Sequence, residues 1–173
     1  LFPAMSVLEN LLVAQHNELM VASGYSLFGL LNLKSYKDKV VMIVNIASKC
    51  GYTGQLKDLQ YLHNTYKDKG FELLAFPSNN FYQEPLEGDE ISKFCRLNYG
   101  VSFEITKKCH VKGQEIHPVY EYLLENSTPK NKNIRWNFEK FIIDKKGKVV
   151  ERFSSSVSPR GEKIVNLIEG LLK

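Results

Sequence analysis

Apolar runs and polar punctuation alternate along the chain. Val40 to Ile46 is almost continuously apolar, which suits a central strand covered on both faces. It follows the turn Lys37-Asp38-Lys39. Leu56, Leu59, Leu62, His63 and Tyr66 then recur at helical spacing, predicting an amphipathic helix that Gly70 ends. Phe71 to Phe76 is a second apolar run, stopped by Pro77. Strand, helix and strand in this order imply a right-handed crossover and a parallel pair. Sites in such sheets lie at the carboxyl ends of strands, where Cys50 and the loop 77–83 fall.

Further along, Glu90 to Leu97 reads as a short helix after the acidic stretch Glu87-Gly88-Asp89, and a loop region follows it. His117 to Leu124 reads as another helix, with Pro118 at a tolerated early position. Phe138 to Asp144 and Val149 to Phe153 flank a glycine-containing turn, the pattern of a hairpin. Gly161 to Lys173, with Ile164, Val165, Leu167, Ile168, Leu171 and Leu172, predicts a closing amphipathic helix. Upstream, Val7, Leu8, Leu11 and Leu12 have helical spacing within 5–22, and Gly24 and Gly29 break what precedes them. A parallel pair, an antiparallel hairpin and helices on both faces predict a thioredoxin-like three-layer α/β fold around a central mixed β-sheet. The whole chain, 1–173, is expected to form a single such domain.

Composition narrows the class. At 173 residues, 43% apolar and 24% charged, the chain has enough apolar surface for one continuous core. The net charge is +4 and the lysines are scattered, which argues against a nucleic-acid face. No stretch approaches the roughly 18 uninterrupted apolar residues of a membrane span. The expected compartment is the cytoplasm, with a targeting segment upstream of Leu1 left open. Three cysteines, Cys50, Cys95 and Cys109, show no CxxC and no histidine at metal-ligand spacing. Neither a metal site nor a disulfide scaffold is expected, so the thiols are packing or redox groups.

Cys50 closes the first strand and opens Gly51-Tyr52-Thr53-Gly54. The glycines let backbone approach a reactant, and a helix starting after Thr53 would aim N–H groups and a positive dipole end at a thiolate. Taken alone, a cysteine at a strand end is more often inert packing.

Four segments alter that balance: Asn45 to Thr53; Phe76 to Phe81 with Gln83-Glu84-Pro85; Phe94 to Phe103; and Arg135 to Phe141. In this order and spacing they resemble the glutathione peroxidase family, from about residue 33 to the C-terminus, with residues 1–32 poorly matched. His117-Pro118 and the turn Asp144 to Gly147 are similar to the family as well. The resemblance implies a thioredoxin-like fold in which Cys50 attacks hydrogen peroxide or an organic or lipid hydroperoxide. That chemistry needs a thiolate and donors that stabilise developing charge. The indole N–H of Trp136 and the amide of Asn137 are such donors and do not titrate.

The family's remaining polar partner is usually a glutamine, and Asn80 stands at the matching place. Asparagine keeps the amide but reaches about 1.5 Å less far. The loop is also shorter than the usual pattern, with Tyr82 where glycine is common, which makes Gln83 the alternative. The resemblance further implies that Cys95 is a resolving cysteine, condensing with the sulfenic acid left on Cys50. Its helix would have to unwind, because the two Cα atoms must come within about 7 Å.

No cofactor is implied; glutathione or a thioredoxin-like protein would serve as reducing co-substrate. A disulfide oxidoreductase is disfavoured because Cys50-Gly51-Tyr52-Thr53 lacks a second thiol. The alternative reading is a peroxide sensor or relay that passes its disulfide to a partner protein. Cys109, on an expected strand edge, reads as a surface or packing thiol, and His63 as a core residue. The short stretch between Tyr122 and Arg135 implies a monomer, by similarity to smaller family members.

Overall fold

The structure is a computed structural model that describes Tyr36, residues 38–130 and residues 133–173. The helical pattern within 5–22 lies outside the described residues. Along the chain run β1 (Val40–Ile46), α1 (Gln55–Tyr66), β2 (Phe71–Pro77), α2 (Asp89–Tyr99), β3 (Glu104–Ile105), α3 (Pro118–Asn126), β4 (Lys140–Ile143), β5 (Val149–Phe153) and α4 (Glu162–Leu172). The strands form one five-stranded sheet in the order β3-β2-β1-β4-β5. β1 runs parallel to β2, with Val40 opposite Phe71, and antiparallel to β4, with Val44 opposite Lys140.

The apolar character of β1 follows from its central place. Val40, Met42, Val44 and Ile46 enter one core, and Val41 and Ile43 the other. A strand covered on both faces has no solvent side on which to alternate. The first core is closed by Leu56, Leu59 and Leu62 of α1, Ile91 and Cys95 of α2, and Ile164 and Ile168 of α4. The second is closed by Tyr120, Leu123 and Leu124 of α3. Burying an aliphatic side chain of this size contributes about 1.5–3 kcal/mol, so these contacts hold three layers together. Thioredoxin-type layering is thus built from the expected elements.

Gly70 ends the short 3-10 turn Lys67–Lys69 in the left-handed region, at φ 91°, with its N–H on Lys67 O. That conformation returns the chain directly into β2 and is inexpensive only for glycine. His63 is buried on α1, its Nε2 3.5 Å from Glu72 Oε2, and burial lowers its pKa.

Three local expectations change. β3 is a strand of two residues within the expected loop region, pairing Glu104 and Ile105 with Leu74 and Ala75; so short a strand leaves no readable alternation. Cys109 lies outside any strand, although its N–H donates to Pro77 O at 3.0 Å. The hairpin also starts later than Phe138, because Phe138 itself is left-handed at φ 67°.

Candidate active site

β1 delivers Cys50 into a turn at its carboxyl end. Thr53 N–H donates to Cys50 O (3.0 Å), and Thr53 Oγ1 accepts from Cys50 N–H (3.0 Å). The Thr53 hydroxyl proton is shared between Ala47 O and Cys50 O, at 2.9 and 2.7 Å. The side chain before α1 therefore clamps both ends of the loop. Within it, Tyr52 N–H points at Cys50 Sγ across 3.4 Å. An amide donor on sulfur stabilises a thiolate over a thiol. This donor comes from the turn, since α1 begins only at Gln55.

The loop after β2 lies against this turn. Lys49 N–H donates to Gln83 O at 3.0 Å. Glu84 is fully buried, and its carboxylate accepts from Ser48 N–H (2.8 Å), Ser48 Oγ (2.7 Å) and Leu86 N–H (3.2 Å). Three donors replace the water that a buried carboxylate loses. Glu84 thus joins the stretch preceding Cys50 to the segment that enters α2.

The two candidate amides have different surroundings. Asn80 Oδ1 accepts from Val111 N–H (2.6 Å), Lys112 N–H (3.3 Å) and Ser78 Oγ (3.0 Å), while its Nδ2 lies 3.1 Å from His110 Nδ1. Its amide is therefore committed to residues 110–112. Gln83 Oε1 instead accepts from Asn137 Nδ2 at 2.9 Å. The backbone explains the exchange. Tyr82 takes a left-handed conformation at φ 58°, one that glycine adopts readily, and its N–H closes a turn on Asn79 O (3.0 Å). That turn precedes Gln83 and directs the chain back toward the Cys50 loop.

The third loop carries Trp136 and Asn137. Asn137 is fully buried, and its Oδ1 has no hydrogen-bond partner among the described residues. Trp136 is 40% exposed and packs at a tilt on Phe81, ring centres 5.2 Å apart. Lys112 Nζ sits 4.2 Å from the Phe81 ring centre, and Tyr82 is exposed. The rim is thus open, aromatic and cationic. Behind it, Glu139 accepts from Arg135 N–H (2.6 Å) and pairs with Arg152 Nη2 (2.7 Å).

Cys95 sits on the inner face of α2, 1% exposed, in the same core cluster as Cys50. Burial, reinforced by the Glu84 carboxylate, pushes its thiol up to about 12. No disulfide joins Cys50, Cys95 or Cys109 among the described residues. Among the described residues no group of three or more His, Cys, Asp or Glu could hold a metal ion, and no helix is long and apolar enough to cross a membrane.

The motif segments thus bring Cys50, Gln83, Trp136 and Asn137 to one end of the sheet; Asn80, in the same loop as Gln83, turns its amide to residues 110–112. Sequence reasoning assigned no role to Asn45, Thr53 or Glu84. A polar residue inside the apolar run 40–46 was the available signal for Asn45.

A sequence model of the family described as glutathione peroxidase matches residues 26–124. The chain is 51% identical over 142 residues to "Glutathione peroxidase homolog BsaA" of Halalkalibacterium halodurans, covering 81% of this chain and 89% of that protein. It is also 51% identical over 140 residues to "Glutathione peroxidase-like peroxiredoxin HYR1" of Saccharomyces cerevisiae, covering 79% of this chain and 85% of that one. Among solved structures, T. cruzi GPX1 superposes with a TM-score of 0.64 at 34% identity, over 82% of this chain and 87% of that one. A thioredoxin family protein of Chlorobium tepidum, 17% identical, superposes with a TM-score of 0.59 over 81% of this chain and 84% of its own, a likeness of fold alone.

Proposed function

The chain belongs to the glutathione peroxidase family and is an oxidoreductase that reduces peroxides through a cysteine; we propose that Cys50 is that cysteine and that Gln83, Trp136 and Asn137 are its polar partners. The observation that carries this reading is the meeting of the Cys50 turn, through Lys49 N–H, with the Gln83–Asn137 amide pair. In the reaction the Cys50 thiolate attacks one peroxide oxygen. An S–O bond forms, the O–O bond breaks, and the departing alkoxide or hydroxide takes up one proton to leave as alcohol or water. Because Gln83 Oε1 is held by Asn137, its Nε2 hydrogens remain for the sulfur or the breaking bond. Asn137, fully buried, serves by orienting the Gln83 amide through its Nδ2. The Trp136 N–H adds a donor that never ionises. Asn80, committed to residues 110–112, is a brace for the loop and not a partner of sulfur.

Cys95 then condenses with the Cys50 sulfenic acid, forming a disulfide and releasing water. With its thiol buried and held protonated, part of α2 must open first. A dithiol protein of thioredoxin type, or glutathione, returns both cysteines to thiols at the cost of its own oxidation. The proposed compartment is the cytoplasm, where thiol donors return such a disulfide to thiols, and the chain is expected to act as a monomer. The open aromatic rim admits organic hydroperoxides as well as hydrogen peroxide.

Stopped-flow peroxide consumption tests this reading, with thioredoxin and glutathione systems supplied in turn. Cys50→Ser is expected to abolish turnover. Cys95→Ser is expected to consume one equivalent of peroxide and then stall with thioredoxin. Full turnover by Cys50→Ser would overturn the assignment.

A further inference from the structure

β1 is apolar except at Asn45, which is fully buried. Its side chain and backbone both turn to the loop that carries Trp136 and Asn137. Asn45 Nδ2 donates to Trp136 O (3.0 Å), and Asn45 Oδ1 accepts from Glu139 N–H (3.0 Å). The Asn45 carbonyl accepts from Phe138 N–H (2.6 Å), while its own N–H donates to Glu139 O (3.4 Å). Residues on both sides of Asn137 are thereby pinned to one position of β1. The pinning also holds Phe138 at φ 67°, a left-handed conformation that a phenylalanine does not adopt without external constraint.

From these contacts we propose that Asn45 is a positioning residue for the peroxide step: it sets the Trp136-Asn137 pair against Cys50, which the same strand delivers. Asn45 touches no reacting atom; it acts through the loop. The inference rests on the proposed roles of Trp136 and Asn137. An apolar side chain at 45 would strand the buried Glu139 N–H and release Trp136 O, and the loop would shift to find other partners. The two backbone bonds of residue 45 do not depend on the side chain, so the sheet keeps its register. Displacement of donors by even 1 Å costs a reaction up to about a hundredfold.

The test is the second-order rate of Cys50 oxidation by hydrogen peroxide in the reduced protein, followed by quenched-flow mass spectrometry. Asn45→Ala is expected to slow it by about ten- to a hundredfold. Asn45→Ser, too short to span to Trp136 O, is expected to do the same and serves if the alanine variant folds poorly. Val44→Ala, at the neighbouring buried position of β1, is the control for lost packing, with a lower urea midpoint but a rate within about threefold of wild type. Trp136 is the only tryptophan, so its emission maximum should shift in Asn45→Ala and stay in place in Val44→Ala. Because Asn45 acts through both residues of the loop, adding Asn45→Ala to the double variant Trp136→Phe with Asn137→Ala should slow it no further, within about threefold. Multiplying losses, or a wild-type rate in Asn45→Ala beside a slow Asn137→Ala, would overturn the inference and leave the roles of Trp136 and Asn137 standing. Wild-type rates in both Asn137→Ala and Trp136→Phe would remove those roles, and the inference with them.

Discussion

Asn137 Nδ2 donates to Gln83 Oε1 across 2.9 Å, joining two loops 54 positions apart at the end of the sheet where Cys50 stands. This contact distinguishes Gln83 from Asn80, whose amide is turned to residues 110–112. Removing a donor aimed at developing charge costs about a hundredfold or more in known sites. Gln83→Ala is therefore expected to slow Cys50 oxidation by about ten- to a hundredfold, and, because it strands the buried Asn137 Nδ2, to lower stability by about 1–3 kcal/mol as well. Asn80→Ala should lower stability by about 1–3 kcal/mol, the range for stranding buried donors, and hold the rate within about threefold. The oxidation rate, measured beside a urea midpoint that falls in both variants, separates the two, and a slow Asn80→Ala beside a fast Gln83→Ala would return the role to Asn80.

Glu84 is a third structural tie at the same place. Its carboxylate accepts from both the N–H and the hydroxyl of Ser48, and an amide offers only one acceptor atom for those donors and Leu86 N–H. Glu84→Gln should lose about 1–3 kcal/mol in urea unfolding and slow Cys50 oxidation. A variant as stable and as fast as wild type would show that Ser48 is held by other means.

Cys95 is protected twice over, by burial and by a thiol pushed up to about 12. At pH 8 iodoacetamide should therefore modify Cys50 in the native protein well before Cys95. Release is governed by α2, which ends at Gly100 in a left-handed cap, φ 67°, with its N–H on Arg96 O. A Cβ at Gly100 would meet nothing within 4 Å, so Gly100→Ala strains only the backbone. That strain is about 1–2 kcal/mol, and it should speed both Cys95 alkylation and disulfide formation about fivefold or more if opening of α2 limits them. Unchanged rates would mean that the helix opens from its other end.

Lys140 is fully buried in β4, its ammonium donating to Val157 O (2.7 Å) and Ser155 O (3.3 Å). Burial lowers its pKa from 10.5 to about 8, with Glu139 acting in the opposite direction. Between those values the unfolded chain binds the proton and the folded one does not, so stability rises with pH through this window and is lost again as pH falls toward 8. Between pH 7.5 and 9 the gain from this group is about 1 kcal/mol. From about pH 8.5 the raised thiol of Cys95, and at higher pH the raised phenol of Tyr66, both near 12, work the other way, because the unfolded chain then releases protons first. The gain from Lys140 is therefore the difference between wild type and a variant without it. Urea unfolding at pH 7.5 and 9 should show that difference between wild type and Lys140→Met. The same slope in both proteins would assign the effect to another group.

Much of the architecture is legible in the chain because it is written in short-range patterns. The apolar runs 40–46 and 71–77 form central strands, and Leu56, Leu59 and Leu62 recur on the buried face of a helix; both follow from burial on a regular backbone. Cys50 at a strand end, and the segments around Gln83, Cys95 and Trp136-Asn137, are legible as motifs for the same reason. What the tertiary structure alone decides is which polar atoms meet. Whether Asn80 or Gln83 faces Asn137 depends on the left-handed turn at Tyr82 and on hydrogen bonds to residues 110–112. Asn45 is bonded to positions 91 and 94 residues away, and no local periodicity encodes such a partner. A side chain's propensity reports its own turn or strand, whereas a hydrogen bond between loops exists only after the layers have packed and fixed both ends.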